Sequence, residues 1–179
     1  VGSGVKICDI QTSNGIEKLA VINLMGIYGM PMVENPFNWA KKLVTNLQEQ
    51  NIKNIFLDFH AEVTSEKRIM LMMFKNQISA ICGTHTHVGT DDLQIFENTA
   101  YLTDIGLTGC RDNVIGMDSK IPIQKVTTGI GGHFEVPNSC KSILQMLVVD
   151  IEDGKASSAF KIKKYCNNPK IFITEAFID

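Results

Sequence analysis

Two short segments decide how this chain is expected to fold: DFHAE at residues 58–62 and GTHTH at residues 83–87. They contain three of the four histidines in the 179 residues, namely His60, His85 and His87. Each segment follows an apolar run typical of a buried strand, and a helical pattern separates the two runs. Because the carboxyl ends of parallel strands meet at one edge of a sheet, we expect the three imidazoles to lie together there.

The three histidines predict a metal site. Neutral imidazole is a common ligand of transition metals, and imidazoles on rigid strand ends can form part of a coordination shell. Asp58 lies two residues before His60 and shares its face of the strand, so we predict that it orients a ligand. Asp104, after another strand-like run, is assigned the same supporting role. The predicted ligands are therefore His60, His85 and His87.

Three further polar residues are considered as metal ligands. Glu62 and Glu66 could be ligands, but carboxylates near a helix start usually interact with the helix dipole in solvent. We therefore expect both to be solvated. His133 stands between glycines and a phenylalanine without a partner pattern, and we expect it to be structural.

The remaining sequence predicts an α/β domain with a β-rich C-terminal part. An Asn-Gly pair at residues 14–15 predicts a hairpin, and helices are expected from Pro36 and from Thr64 or Ser65. The strand predictions are 5–9, 19–24, 52–59, 78–82, 93–96, 100–103, 124–128, 133–136, 143–150 and 159–164. Residues from Asn167 onward are left as a tail or an edge strand. No linker interrupts residues 1–179, which we interpret as one domain.

Composition excludes several function classes. A hydrophobic share of 44% and a net charge of −2 are typical of an ordinary globular protein, and they give no reason to expect duplex nucleic acid or an anionic membrane as a partner. No apolar run approaches the ~20 residues that span a bilayer. The five cysteines are dispersed and odd in number. We therefore expect reduced thiols and a cytoplasmic protein.

Longer motifs give a specific resemblance. The chain resembles the YmdB-like bacterial metallophosphoesterases of the calcineurin-like superfamily over about residues 20–164. The segments that carry the resemblance are DFHAE at 58–62, TSEK at 64–67, GTHTHV at 83–88, YLTDIGLTG at 101–109 and GMD at 116–118.

The resemblance implies a fold, a metal centre and a reaction. The fold is a four-layer α/β sandwich, and the centre holds two divalent ions of Fe, Mn or Zn. His60 and His85 correspond to ligands of one ion and His87 to a ligand of the other. The implied activity is hydrolysis of phosphodiesters, with 2′,3′-cyclic nucleotides as substrates and a metal-bound hydroxide as nucleophile.

The sequence also departs from this family. Its Gly-Asp, Asn-x-Glu and Gly-Asn-His segments, which supply further ligands and the general acid, have no counterpart here. We therefore expect this sequence to be the C-terminal part of such a protein, without its N-terminal strands and helices. We expect this part to be inactive alone and to self-associate, which is compatible with a homo-oligomer. The alternatives are a non-catalytic metal- or nucleotide-binding module and a mononuclear three-histidine hydrolase.

Overall fold

A computed structural model of the chain describes residues 2–13 and 15–178. These residues form a mixed α/β fold. Its helices are α1 Pro36–Glu49, α2 Thr64–Phe74 and α3 Lys120–Thr128. Its strands are β1 Val5–Thr12, β2 Gly15–Met25, β3 Asn54–His60, β4 Ala80–Thr84, β5 Gln94–Phe96, β6 Thr99–Leu102, β7 Gly109–Cys110, β8 Ser142–Glu152, β9 Lys155–Tyr165, β10 Ile171–Glu175 and β11 Phe177–Ile178.

The larger sheet has seven strands in the order β1-β2-β3-β4-β6-β5-β11. Its centre is parallel, since β2, β3, β4 and β6 run in the same direction. β1 and β2 form the predicted antiparallel hairpin, with Thr12 opposite Gly15, although residue 14 of the predicted turn lies outside the described residues. The parallel centre places three strand ends at one edge, as the sequence predicted.

Two helices cover one face of this sheet. Asn35 caps α1 by accepting hydrogen bonds from the N–H groups of Phe37 and Asn38, and Pro36 occupies the first turn, where its missing N–H costs nothing. Helices α1 and α2 bury their apolar stripes against β2, β3 and β4. The largest apolar side chains of this core include Ile22, Leu47, Ile55, Leu57, Phe59, Met70, Leu71, Ile81 and Tyr101.

A second sheet covers the opposite face. Its four antiparallel strands lie in the order β10-β9-β8-β7. A smaller apolar core lies between the sheets and includes Ala80, Leu93, Ile95, Leu102 and Ala159. The described residues thus form a helix layer and two sheet layers. Helix α3 has no buried residue, so it does not pack as the fourth layer that the resemblance implied.

The C-terminal segment joins the two sheets. β10 pairs with β9 of the second sheet, and β11 pairs with β5 of the first. Ala176 donates its N–H to Ala159 at 2.8 Å, and the next residue, Phe177, donates to Leu93 at 3.1 Å. Residues 171–178 are therefore edge strands, one of the two predicted alternatives.

Two strand predictions in the C-terminal part are wrong. Residues 124–128 belong to α3, and residues 133–136 have no regular structure. The β-branched residues there favoured a strand, but the helix ends in a glycine, Gly129, at φ 76°, a conformation that suits a helix C-terminus. The prediction that His133 is structural finds no support in burial, because its side chain is exposed.

The prediction of five reduced thiols is also wrong. Cys110 and Cys140 form a disulfide across a sequence separation of 30 residues, whereas Cys8, Cys82 and Cys166 are free. The sequence does not reveal this pair, because Cys110 and Cys140 come together only when β7 pairs with the start of β8. No helix among the described residues is both long and apolar enough to span a membrane.

Candidate metal centre

The carboxyl ends of β3, β4 and β6 meet at one edge of the larger sheet. β3 ends at His60, which lies opposite Thr84 at the end of β4. β4 pairs in parallel with β6, and Asp104 follows β6 by two residues. This edge lines a cavity of about 190 Å³ whose wall includes His60, His85, His87 and Asp104. The structure thus brings the three predicted histidines together.

His60 and His85 are in direct contact. The Nε2 atom of His60 lies 3.0 Å from Nδ1 of His85, and the rings meet edge to face with centroids 4.8 Å apart. Partial burial lowers the pKa of His60, and His85 lowers it further against the opposing effect of Asp58. His60 is therefore neutral at pH 7, as a metal ligand must be.

A chain of hydrogen bonds fixes the tautomer of His60. Asn23 donates to Oδ2 of Asp58 at 2.8 Å, and the hydroxyl of Thr84 donates to Oδ1 at 2.8 Å. Because that hydroxyl proton is committed to Asp58, Oγ1 of Thr84 accepts from Nδ1 of His60 at 3.1 Å. The proton of His60 thus stays on Nδ1, and Nε2 keeps its lone pair. Asp58 acts on His60 through Thr84 rather than by direct contact.

Glu62 performs a similar task for His85. Its Oε2 atom lies 3.1 Å from Nε2 of His85, so the carboxylate favours a proton on that nitrogen and leaves Nδ1 available. Glu62 is exposed, as expected, but it is also the hydrogen-bond partner of a candidate ligand.

His85 and His87 lie in the loop that follows β4, here called the histidine loop, and His87 is the farther of the two from the strand. The Nδ1 atom of His87 donates to the carbonyl oxygen of Ile115 at 2.7 Å, which orients the ring. His85 has φ 114° and His87 has φ 64°. Residues other than glycine rarely adopt such values, and strain of this kind is concentrated at functional sites.

A buried ion pair between Lys67 and Asp104 holds the backbone of the histidine loop in place. Asp104 is 1% exposed and Lys67 is fully buried, and Nζ of Lys67 lies 2.9 Å from Oδ2 of Asp104. The same oxygen accepts from the N–H of Thr86 at 3.0 Å, while Oδ1 accepts from Gly106 at 2.9 Å. Because Thr86 separates the two loop histidines, Asp104 holds their backbone. Among the described residues its carboxylate has no hydrogen bond to an imidazole ring.

The pKa of Asp104 reflects this environment. Burial by itself raises it, but the hydrogen bonds from Lys67, Gly106 and Thr86 outweigh burial and hold the pKa below its ordinary value. Asp104 is therefore ionised at neutral pH, and its charge is balanced by the ammonium of Lys67.

Gly83 is required for this arrangement. A Cβ atom at Gly83 would lie 1.7 Å from the carbonyl oxygen of Thr103 and 2.8 Å from Cδ of Lys67. Only glycine therefore allows the end of β4 to approach the segment that carries Asp104.

Glu66 is fully buried, in contrast to the solvated position that the sequence predicted. It accepts hydrogen bonds from the N–H groups of Ile27 at 2.8 Å and Tyr28 at 3.3 Å. Its carboxylate therefore fixes the loop between β2 and α1, where the N–H groups compensate for lost hydration.

A sequence signal for Glu66 and Lys67 does exist. The buried positions of α2 are 66, 67, 70, 71 and 74, which follow the three- and four-residue spacing of an apolar stripe. Two charged residues on that stripe indicate buried, hydrogen-bonded charges.

The donor set at the edge can be tested against the predicted metal. Two ligand atoms that lie about 2.1 Å from an ion are about 3.0 Å apart at the right angle of an octahedral site and about 3.4 Å apart at the angle of a tetrahedral zinc site. The facing nitrogens of His60 and His85 have the shorter of these spacings, which is also that of the hydrogen bond between them. The partners of the other two nitrogens, Thr84 and Glu62, favour protons there, so a metal ion could replace the shared proton. Within residues 2–13 and 15–178, no three His, Cys, Asp or Glu side chains converge on one point. The pair fits one ion as two of its ligands.

Comparison with known proteins decides the family. A model of the family described as YmdB-like protein matches residues 1–164. This range includes His60, His85 and His87 at the edge of the larger sheet, here called the histidine edge. The chain belongs to the YmdB-like family.

Curated relatives of this YmdB-like chain carry names that refer to phosphoester chemistry. A 2′,3′-cyclic-nucleotide 2′-phosphodiesterase of Bacillus subtilis is 40% identical over 157 residues, which cover 87% of this chain and 58% of the relative. A putative phosphatase/phosphodiesterase of Mycoplasma genitalium is 40% identical over 129 residues, which cover 70% of this chain and 44% of the relative. The chain therefore spans roughly half the length of these relatives.

Two crystal structures share the fold of the YmdB-like chain. A novel phosphatase from Mycoplasma pneumoniae superposes with a TM-score of 0.81 at 30% identity, over 94% of this chain and 59% of that one. A hypothetical protein from Thermus thermophilus superposes with a TM-score of 0.78 at 25% identity, over 98% and 63% of the two chains.

Proposed function

We propose that this chain provides the histidine edge of a metal-dependent phosphodiesterase whose substrates are 2′,3′-cyclic nucleotides. One observation carries the proposal: the facing ring nitrogens of His60 and His85, 3.0 Å apart at the ends of adjacent parallel strands. Family membership and the names of the relatives support the substrate class.

The side chains have separate tasks in this proposal. His60 and His85 bind one divalent ion of Fe, Mn or Zn, and His87 binds the second. When bound, such ions neutralise charge on a phosphodiester and lower the pKa of water. Asp58, acting through Thr84, keeps the proton of His60 on Nδ1.

The supporting residues act at a distance from the phosphate. Glu62 keeps the proton of His85 on Nε2, which leaves Nδ1 for the ion. The Lys67–Asp104 pair holds the backbone at Thr86 so that the two loop histidines keep their spacing. We assign the general acid to none of the described residues.

Metal binding tests the proposal directly. The purified chain is loaded with Mn²⁺, desalted and analysed for metal content, and Mn²⁺ affinity is measured by electron paramagnetic resonance. His85→Ala should weaken binding at least about tenfold, because one of two nitrogen ligands is lost. His133→Ala is the matched control, since this exposed histidine lies outside the cavity wall. Equal binding by both variants would contradict the assignment.

Hydrolysis of 2′,3′-cyclic AMP and of bis-p-nitrophenyl phosphate with added Mn²⁺ is the second measurement. Hydrolysis that requires the added N-terminal part of a relative, disappears in His85→Ala and persists in His133→Ala supports the phosphodiesterase. The same pattern in the chain alone would favour the mononuclear three-histidine hydrolase. One observation favours a second function, binding of metal without hydrolysis: among the described residues only two donors converge. Tight Mn²⁺ binding without any turnover, even with the N-terminal part of a relative added, would select that function.

A further inference from the structure

A second cavity lies between the two sheets, on the side opposite the helix layer. It has a volume of about 340 Å³, within the range of small-ligand sites. One wall is the inner face of the second sheet, and the other is the segment between β4 and β5. Its lining comprises Thr90, Asp91, Leu93, Lys161, Lys163, Tyr165, Phe172 and Thr174.

Lys161 is an unusual component of this wall. It is only 5% exposed, yet within residues 2–13 and 15–178 its ammonium donates to a single acceptor, the carbonyl oxygen of Thr90 at 3.2 Å. No carboxylate of the described residues lies within 4.0 Å of it. A buried ammonium without a counter-ion costs free energy unless an anion is supplied. Consistent with this cost, burial lowers the pKa of Lys161 and Lys163 lowers it further, and the more distant carboxylates of Asp91 and Asp104 oppose the shift without cancelling it.

The rest of the wall combines positive charge with aromatic rings. Lys161, Lys163 and Tyr165 alternate along β9 and share one face of the strand. Phe172 lies opposite Lys163 on β10 and packs edge to face against Tyr165, with centroids 5.8 Å apart. Asp91 is the one carboxylate in the lining, and it is exposed to solvent.

We propose that this cavity binds a nucleoside monophosphate, with the phosphate on Lys161 and Lys163 and the base against Tyr165 and Phe172. Ammonium groups form charge-assisted hydrogen bonds with phosphate oxygens, and bases of any sequence stack on aromatic side chains. The site is separate from the histidine edge and does not depend on the proposed hydrolysis.

The cavity is nonetheless connected to the histidine loop. Thr90, the acceptor for Lys161, donates its N–H to the carbonyl oxygen of Asp104 at 2.9 Å, and its hydroxyl accepts from the N–H of Asp104 at 3.0 Å. Asp104 in turn holds Thr86. Lys161, Thr90 and Asp104 are therefore joined by hydrogen bonds that lead from a ligand on Lys161 to the backbone between His85 and His87.

Isothermal titration of the whole chain in EDTA tests the site, with adenosine 5′-monophosphate, inorganic phosphate and adenosine as probes. The monophosphate should bind at one site and more tightly than phosphate or adenosine. Lys161→Met should weaken binding of the monophosphate and of phosphate at least about tenfold, the usual loss for a charged hydrogen bond. Lys155→Met, at an exposed position of the same strand, is the matched control and should bind normally.

Two further variants separate the parts of the site. Phe172→Ala should weaken the monophosphate and leave phosphate unchanged, and this pair of titrations decides the matter if Lys161→Met does not fold by circular dichroism. His85→Ala should leave all affinities unchanged. The proposal is overturned by the absence of binding at millimolar monophosphate, by equal affinity for phosphate and the monophosphate, or by binding that survives Lys161→Met but not His85→Ala.

Discussion

Two buried lysines, Lys67 and Lys161, differ in what compensates their charge. Lys67 is fully buried and pairs with the carboxylate of Asp104 at 2.9 Å. Lys161 is almost as buried, but among the described residues its ammonium has only the carbonyl oxygen of Thr90 as an acceptor. The first charge is neutralised within the protein and stabilises the loop at Thr86. The second is left for a ligand. Burial of a charge therefore indicates structure in one case and binding in the other.

The largest effect is expected for Lys67→Met. The substitution leaves Asp104 buried without its counter-ion, and breaking such a pair costs about 3–5 kcal/mol. Urea unfolding followed by circular dichroism measures the loss. Lys75→Met is the control, because the pair of Lys75 with Glu97 is partly exposed and should contribute at most about 1 kcal/mol. Equal losses in the two variants would remove the distinction between buried and surface pairs here.

Acid should reveal the same ion pair with a smaller effect. Because the pKa of Asp104 is lowered in the folded protein, the unfolded chain takes up its proton first as the pH falls. The stabilisation is complete above the unfolded pKa of about 3.9 and is lost as the pH falls through the folded pKa.

Wild type and Asp104→Asn provide the measurement. The difference between their free energies of unfolding should be largest at neutral pH and should shrink as the pH falls below about 3.9. A difference that does not change with pH would show that the charge of Asp104 contributes nothing.

The smallest effect on stability is expected for Lys161→Met without ligand. Replacing an uncompensated buried ammonium by an apolar side chain of similar length should leave the free energy of unfolding unchanged or raise it slightly. Urea unfolding in phosphate-free buffer measures this. A loss as large as that of Lys67→Met would mean that Lys161 has a structural partner, and the contrast between the two lysines would disappear.

The sequence allowed the histidine edge to be predicted because the signals there are local. Apolar runs end at His60 and just before His85, and a helical pattern separates them, so the parallel pairing of β3 and β4 followed from general rules. Asp58 and Asp104 were correctly placed near the histidines. The pattern of α2 indicates that Lys67 is buried, but no local pattern specifies that Lys67 pairs with Asp104 or that Thr84 contacts Asp58.

The predictions that were wrong also failed because contacts formed in the folded chain, rather than local sequence patterns, decided the structure. Helix α3 consists largely of residues that favour strands, and its hydroxyls bond to carbonyl oxygens within the helix, as Thr128 does to Gln124 at 2.7 Å. The Cys110–Cys140 disulfide requires the fold of residues 111–139 to be known. Lys161 was missed because alternation along β9 reads equally well with either face inward until the second sheet is placed.

The histidine edge and the wall of the second cavity are built from different parts of the chain. The histidine edge lies within residues 1–164, which the family model matches. Phe172 and Thr174, however, belong to β10, beyond that match, and they complete the wall that contains Lys161. Because β10 pairs with β9 of the second sheet and with none of the strands that carry the histidines, a substitution in β10 changes the wall around Lys161 and leaves the histidine edge in place.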